Sequence, residues 1–370
     1  MVVSKPKAQH YIPVGHLARF GSPAGSGGPR ASVVHVFDKR SGEYRTAKVR
    51  TVGLENDLYT FRIPDMAGIE PDLAALYERV FDPANKDVEI EVAKAEIEAR
   101  GAAAMREIET WPAGFRDVSE DDRVSLLTYM GLLLAQHPTM MNARAAEVRG
   151  RFRRQVGPMI ERSAPLRAVD AEWARGVSVL AVIFDGLATA LELNYLAWKV
   201  LRWTNSPRLV LGDVGVVAWY PGMTTIGVGE IWAAGAKFLL PISPRSMVII
   251  SQFAPGACEI EDYGDGVPEG AVDAFNALSW ARSRSQVFAL GREDLERAIA
   301  GLGPLDAGAD YSAQLPVRHS VLPSFEFDDR GDLRIVQPME PSDDEVQKRW
   351  QARFAAPWTA SPTHNARPAK

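Results

Sequence analysis

The chain has 370 residues, of which 46% are hydrophobic and 24% charged, with a formal net charge of −5. That length supports a large core in one or two domains, and the slight acidity gives no global electrostatic case for nucleic acid, leaving only local patches. The single cysteine, Cys258, excludes an intrachain disulfide and a cysteine-built zinc cage, and it fits a reducing compartment. Met1 to Gln9 is polar with no apolar run behind it, unlike a secretory signal, so a cytoplasmic location is expected. The long apolar stretch from about Val177 to Leu201 is interrupted by Asp185, Glu192 and Lys199. It reads as a buried helix, and no membrane partner is expected.

In chain order, Gln9 to Ile12 is extended before Pro13, and Leu17 and Phe20 share one face of a short helix. Gly21 to Arg30 is a Gly/Ser/Pro-rich loop. Val33 to Phe37 and Tyr44 to Val52 are strands joined by the turn Asp38 to Gly42, which makes a hairpin. Helices are expected over Asp72–Phe81, Asp87–Ile108 and from the Ser119 cap to about Gln136. A further one runs from about Met141 and carries Arg144, Arg149, Arg151, Arg153 and Arg154. The apolar helix begins at Asp170. After it, Val200–Trp203, Arg208–Leu211, Val214–Trp219, Lys237–Leu240 and Met247–Ser251 are β-rich, while Cys258 sits in a Pro255–Ala257 turn. Helices return near Ala271–Ser283 and Arg292–Ile299, and a late hairpin turns at Asp328–Asp332.

This order predicts an α+β fold: an N-terminal hairpin, a helical middle and a twisted, mainly antiparallel sheet with flanking helices. Residues 1–300 are expected to form one domain, 301–340 a C-terminal extension with a hairpin, and 341–370 a disordered tail. Glycine-rich phosphate loops and the Gly-x-Ser-x-Gly elbow are missing, so no nucleotide cofactor is expected and nucleophilic hydrolysis has little support.

The block Gln9-His10-Tyr11-Ile12-Pro13 with Leu17 and Phe20, then Phe37-Asp38-Lys39-Arg40-Ser41-Gly42 and Glu55-Asn56-Asp57-Leu58-Tyr59, resembles a bacterial family catalogued as domain of unknown function 4238. The helix bearing Glu91 and Glu98, the Pro241–Pro244 segment between strands, and Phe275-Asn276-Ala277 extend the likeness over roughly residues 7–295. The chain departs from the family pattern at Gly212–Val216, where only Asp213 is kept, and at Gln136-His137-Pro138, which lacks an expected arginine. A family without an assigned activity implies architecture rather than mechanism.

The polar residues carried by the resemblance are His10, Asp57, Glu91, Glu98 and Asp213. One imidazole and several carboxylates suit Mg²⁺ or Mn²⁺: His10, Asp57 and Asp213 as ligands, with Glu91 or Glu98 as catalytic base. Seven residues apart, the two glutamates lie about 10 Å apart along a helix, so they do not readily share one ion. Arg149 and Arg153 are the candidate phosphate contacts, through which nucleic acid is the candidate partner. Each feature also has a plainer reading: a solvated helix face for the glutamates and arginines, a backbone hydrogen bond for His10, and a turn cap for Asp57. Two function classes stay open, a metal-dependent phosphodiesterase or nuclease-like hydrolase, and a non-catalytic interaction or regulatory module whose polar residues are structural.

Overall fold

The computed structural model describes residues 8–24, 28–56, 58–59, 88–138, 196–219, 237–253, 257–266, 269–300, 324–327 and 333–336, together with separate helical positions between 140 and 194. The helix expected at Asp72–Phe81 and the tail 341–370 lie outside these residues. The chain divides into two compact units, Met1–Arg318 and His319–Lys370. The second contains an antiparallel hairpin of Ser324–Phe327 and Leu333–Val336.

The first unit mixes helices with mostly antiparallel sheets, an α+β fold. Its larger sheet has the order β5-β11-β6-β10-β9-β8, built from Gly114–Asp117 (β5), Leu196–Arg202 (β6), Val217–Trp219 (β8), Lys237–Ser243 (β9), Ser246–Phe253 (β10) and Ala257–Asp262 (β11). Every neighbour is antiparallel except β11 with β6. The smaller sheet, β3-β2-β12-β7, combines the hairpin Val33–Asp38 (β2) and Glu43–Lys48 (β3) with Gln286–Ala289 (β12) and Leu211–Gly212 (β7). A two-stranded ribbon pairs Ala8–His10 (β1) with Leu54–Asn56 (β4).

The apolar stretch ends as strand, not helix. Described residues are helical as far as Leu193, and β6 then begins at Leu196. Leu196, Trp198 and Val200 are buried while Ala197 and Lys199 are half-exposed, the two-residue alternation of a sheet with one covered face. Lys199 therefore does not continue a helical stripe with Asp185 and Glu192; it pairs with Glu259 and Glu261 on the neighbouring β11. Cys258 likewise lies inside β11 and is buried. Its acidic neighbours concealed a strand whose Ile260 and Cys258 point inward.

Helix Val14–Arg19 (α1) lays Leu17, with Phe20 just beyond it, fully into the core, worth about 2 kcal/mol each in burial. Val88–Thr110 (α2) packs on Glu120–Gln136 (α3), where Gly101 admits the Tyr129 ring: a Cβ there would meet it at 2.3 Å. Ser119 caps α3 by accepting the Asp122 N–H at 3.1 Å, and Glu120, Asp121 and Asp122 occupy the positive end of its dipole. From Leu126 onward α3 is almost wholly buried, and Gly131 approaches Gly186 so closely that a Cβ would lie 2.0 Å from its carbonyl. Glu269–Arg282 (α4) and Arg292–Ala300 (α5) cover the smaller sheet through Trp280 and Leu295 against Phe37, Val210 and Val287. Among the described residues no helix is long and apolar enough to cross a membrane.

Candidate functional site

The N-terminal segment is held by side chains from three elements. Gln9 Oε1 accepts the Tyr59 N–H at 2.6 Å, and Gln136 at the end of α3 donates Nε2–H to the Tyr11 carbonyl at 2.8 Å while accepting from the Tyr59 hydroxyl at 3.2 Å. Lys94 on α2 is 5% exposed; it donates to the His10 carbonyl at 2.9 Å, pairs with Glu98 at 2.9 Å and lies over the Tyr59 ring. Tyr11 N–H reaches the Gly53 carbonyl at 3.0 Å. Gly53 itself has φ +63° and sits against Leu17 and Ile12, a left-handed position that favours glycine. The Gln-His-Tyr motif thus ties the chain start to both α2 and α3. A family model described as "protein of unknown function (DUF4238)" matches residues 8–293.

The chain belongs to that family. No curated protein and no solved structure matches it. Tyr11 of this N-terminal clamp lines a cleft of about 300 Å³, where the end of α3, the turn after β7 and the start of β12 meet. Tyr11, His137, Asp213, Arg284, Ser285 and Arg40 all line it.

Asp213 is 1% exposed and organises the floor. Its Oδ1 accepts the Arg284 N–H at 2.8 Å; its Oδ2 accepts the Ser285 N–H at 2.7 Å, the Ser285 hydroxyl at 3.0 Å and the Gln286 N–H at 3.0 Å. Gly212 before it has no room for a Cβ, which would meet Ser283 Oγ at 2.3 Å. His137, the residue that ends α3 and is 2% exposed, brings Nε2 to 3.8 Å from Asp213 Oδ1. Burial acts to raise the Asp213 carboxyl, but His137 and the Ser285 and Gln286 amides outweigh it and hold the group below its ordinary value. Tyr11 packs edge-on against His137 with ring centroids 5.9 Å apart. Burial, and then the Asp213 charge, push its phenol well above its ordinary value, so it stays protonated.

The rim carries both signs. Asp38 accepts the Arg40 and Ser41 N–H groups at 2.9 and 3.3 Å, forming the hairpin turn that presents Arg40. Arg284 stands 3.9 Å from Glu55. The outcome is a buried imidazole–carboxylate pair in a polar cleft that Arg40 and Arg284 also line.

Of the residues named from sequence, Asp213 lies in this cleft. His10, on β1, is half-buried, and burial followed by the Lys94 charge holds its imidazole below the ordinary value. Glu98 is half-buried and engaged by Lys94. Arg149 is half-exposed on a helical segment. Asp57, Arg153 and the side chain of Glu91 lie outside the described residues. Among the described residues, no group of three or more His, Cys, Asp or Glu is arranged to hold a metal ion. Sequence reasoning missed His137, Arg284 and Ser285. The one available signal was a histidine placed just before Pro138, at the end of a long apolar helix.

Proposed function

We propose that the cleft is the working centre of a phosphodiesterase or nuclease-like hydrolase of the cytoplasm. In this reading His137 is the general base and Arg284 and Arg40 bind the phosphate. The observation that supports it is the buried His137–Asp213 pair, 3.8 Å apart, opening on a cleft that both arginines line. A carboxylate beside an imidazole stabilises the imidazolium that forms when a proton is taken up. The water oxygen bonds to phosphorus as its proton passes to His137. The ester P–O bond breaks, and the leaving oxygen takes a proton from solvent. Guanidiniums match the charge spread over the phosphoryl oxygens, and Tyr11 keeps the imidazole in place.

Activation of water by Mg²⁺ or Mn²⁺ held by His10, Asp57 and Asp213 is the rival arrangement. It requires Asp213 to exchange some of its four hydrogen bonds for the ion. That saturation also favours a second reading, a non-catalytic module in which Asp213 is a structural knot joining β7 to β12. Initial rates on bis(4-nitrophenyl) phosphate separate the three. The base reading expects turnover that survives EDTA and falls at least 100-fold in His137→Gln. Turnover abolished by EDTA and restored by Mn²⁺ supports the metal arrangement, and no turnover in the wild type supports the module.

A further inference from the structure

Although the whole chain is acidic, residues 29–51 hold six basic side chains (Arg30, Lys39, Arg40, Arg45, Lys48 and Arg50) against two acidic ones, Asp38 and Glu43. All of the basic ones except Lys39 are exposed. Elsewhere on the surface basic side chains are commonly matched by acids, as Arg100 is by Glu96, Arg202 by Asp262, and Arg297 by Asp273. Among the described residues no ion pair engages Arg30, Arg40, Arg45, Lys48 or Arg50.

Their placement is linear. β3 is the outer strand of the smaller sheet, with no strand beyond it among the described residues. Arg40 sits in the turn at one end of β3 and also lines the cleft. Arg45 follows along the strand, opposite Val36, and Lys48 closes it, opposite Val33. Arg50 lies on the 3₁₀ turn Val49–Thr51, which is tied by the Val49 N–H to the Ser32 carbonyl at 3.0 Å and packs beside the turn bearing Arg30. A six-residue strand spans roughly 20 Å, and side chains alternate faces along it, so Arg45 and Lys48 flank the sheet edge from opposite faces, while Arg40, in the turn at one end, lies at the cleft.

We infer that this edge is a docking track for a nucleic-acid strand whose phosphates follow β3 and whose scissile phosphate enters the cleft beside Arg40. The inference deepens the hydrolase reading, and its substrate claim rests on that reading; the binding it asserts is read separately. Charge complementarity with a polyanion selects the ligand class. An anionic membrane fits less well, because none of the exposed large apolar side chains (Phe115, Val124, Leu187, Leu191 and Tyr263) belongs to the hairpin to insert among lipids. The competing explanation is that charges on an open strand only prevent edge-to-edge association.

The test is fluorescence polarisation of the full chain with a labelled 20-nucleotide single-stranded oligonucleotide over a range of salt. The Arg45→Gln/Lys48→Gln/Arg50→Gln variant is compared with Arg100→Gln/Arg106→Gln/Arg297→Gln, which removes the same charge elsewhere. The track predicts that the first variant binds at least 10-fold more weakly at 0.1 M salt, with a log Kd against log salt slope smaller by about 2, and that the second binds like wild type. Matching melting temperatures check that both variants are folded. The inference is overturned if the wild type does not bind, if both variants weaken equally, or if the first variant loses nothing. Tighter, hairpin-dependent binding to phosphatidylserine vesicles than to the oligonucleotide also overturns it. Oligonucleotide binding without cleavage of any phosphodiester leaves the track standing and removes the hydrolase reading; cleavage of the small diester without oligonucleotide binding does the reverse.

Discussion

His16 is the most direct physical handle on stability. It is 1% exposed, with Nε2 donating to the Pro241 carbonyl at 2.7 Å and Nδ1 accepting from the Tyr129 hydroxyl at 3.0 Å. Both ring nitrogens are used by the neutral imidazole, and a second ring proton would face the Tyr129 hydroxyl in a dry site. Burial, reinforced by the nearby Arg19 charge, pushes the group down from 6.5 to about 4. The unfolded chain therefore binds a proton between pH 6.5 and pH 4 that the folded chain refuses. Stability from this site is full above pH 6.5 and is lost as pH falls to about 4, after which the loss levels off. At 1.36 kcal/mol per pH unit the loss is about 3 kcal/mol. His10 and Asp213 are also depressed, and both add acid sensitivity of the same sign. Urea denaturation from pH 7.5 to pH 4, compared between wild type and His16→Gln, isolates the contribution of His16. A glutamine keeps a donor for Pro241 and an acceptor for Tyr129 but does not titrate. The variant starts less stable at pH 7.5, and the gap closes by about 3 kcal/mol on acidification. Curves that stay parallel to within about 0.5 kcal/mol would refute the reasoning.

Three further outcomes rest on packing and pairing. Gly131→Ala places a methyl on the Gly186 carbonyl, where both sides are backbone, and lowers stability by about 3 kcal/mol in urea titration; Gly15→Ala, with open space around it, leaves stability within about 0.5 kcal/mol. Lys94→Met removes the partner of Glu98 and the donor to the His10 carbonyl, costing about 2 kcal/mol, and adding Glu98→Gln restores part of it; strict additivity in that double-mutant cycle would contradict the pairing. Asn276→Ala, which orphans the Val210 N–H and the Arg208 carbonyl at 2.9 Å each, costs about 2 kcal/mol, read as a lowered urea midpoint with unchanged slope.

The elements whose signals are local were legible in the sequence. The β2–β3 hairpin announces itself through Asp38 and Gly42, the second with φ +72°, and α3 through the Ser119 cap and its acidic first turn. The start of β6 was hidden because helix and strand meet inside one apolar run, where composition changes little and only burial alternation separates them. β5 and β12 are only four residues long, and the pairing partners of β5, β11 and β12 lie far away in sequence. The motif Gln9-His10-Tyr11 was legible as important, but its individual partners Gln136, Lys94 and Tyr59 were not, because they come from three separate segments. Asp213 stood out as a carboxylate between strands needing a partner. That partner is a row of three backbone amides at 284–286 and a histidine at the end of α3, none of which carries a sequence mark pointing back to it.

The central claim is that His137 and Arg284 receive a phosphodiester in the cleft, and titrating ¹⁵N-histidine-labelled protein with dimethyl phosphate tests it most directly. The chain has six histidines, and His137→Gln assigns the decisive ring by its disappearance. The account predicts a saturable shift of the His137 ring nitrogens, little change at His16, and loss of the response in Arg284→Gln. A His137 signal that stays fixed through millimolar ligand, or one that moves equally well without Arg284, would contradict it.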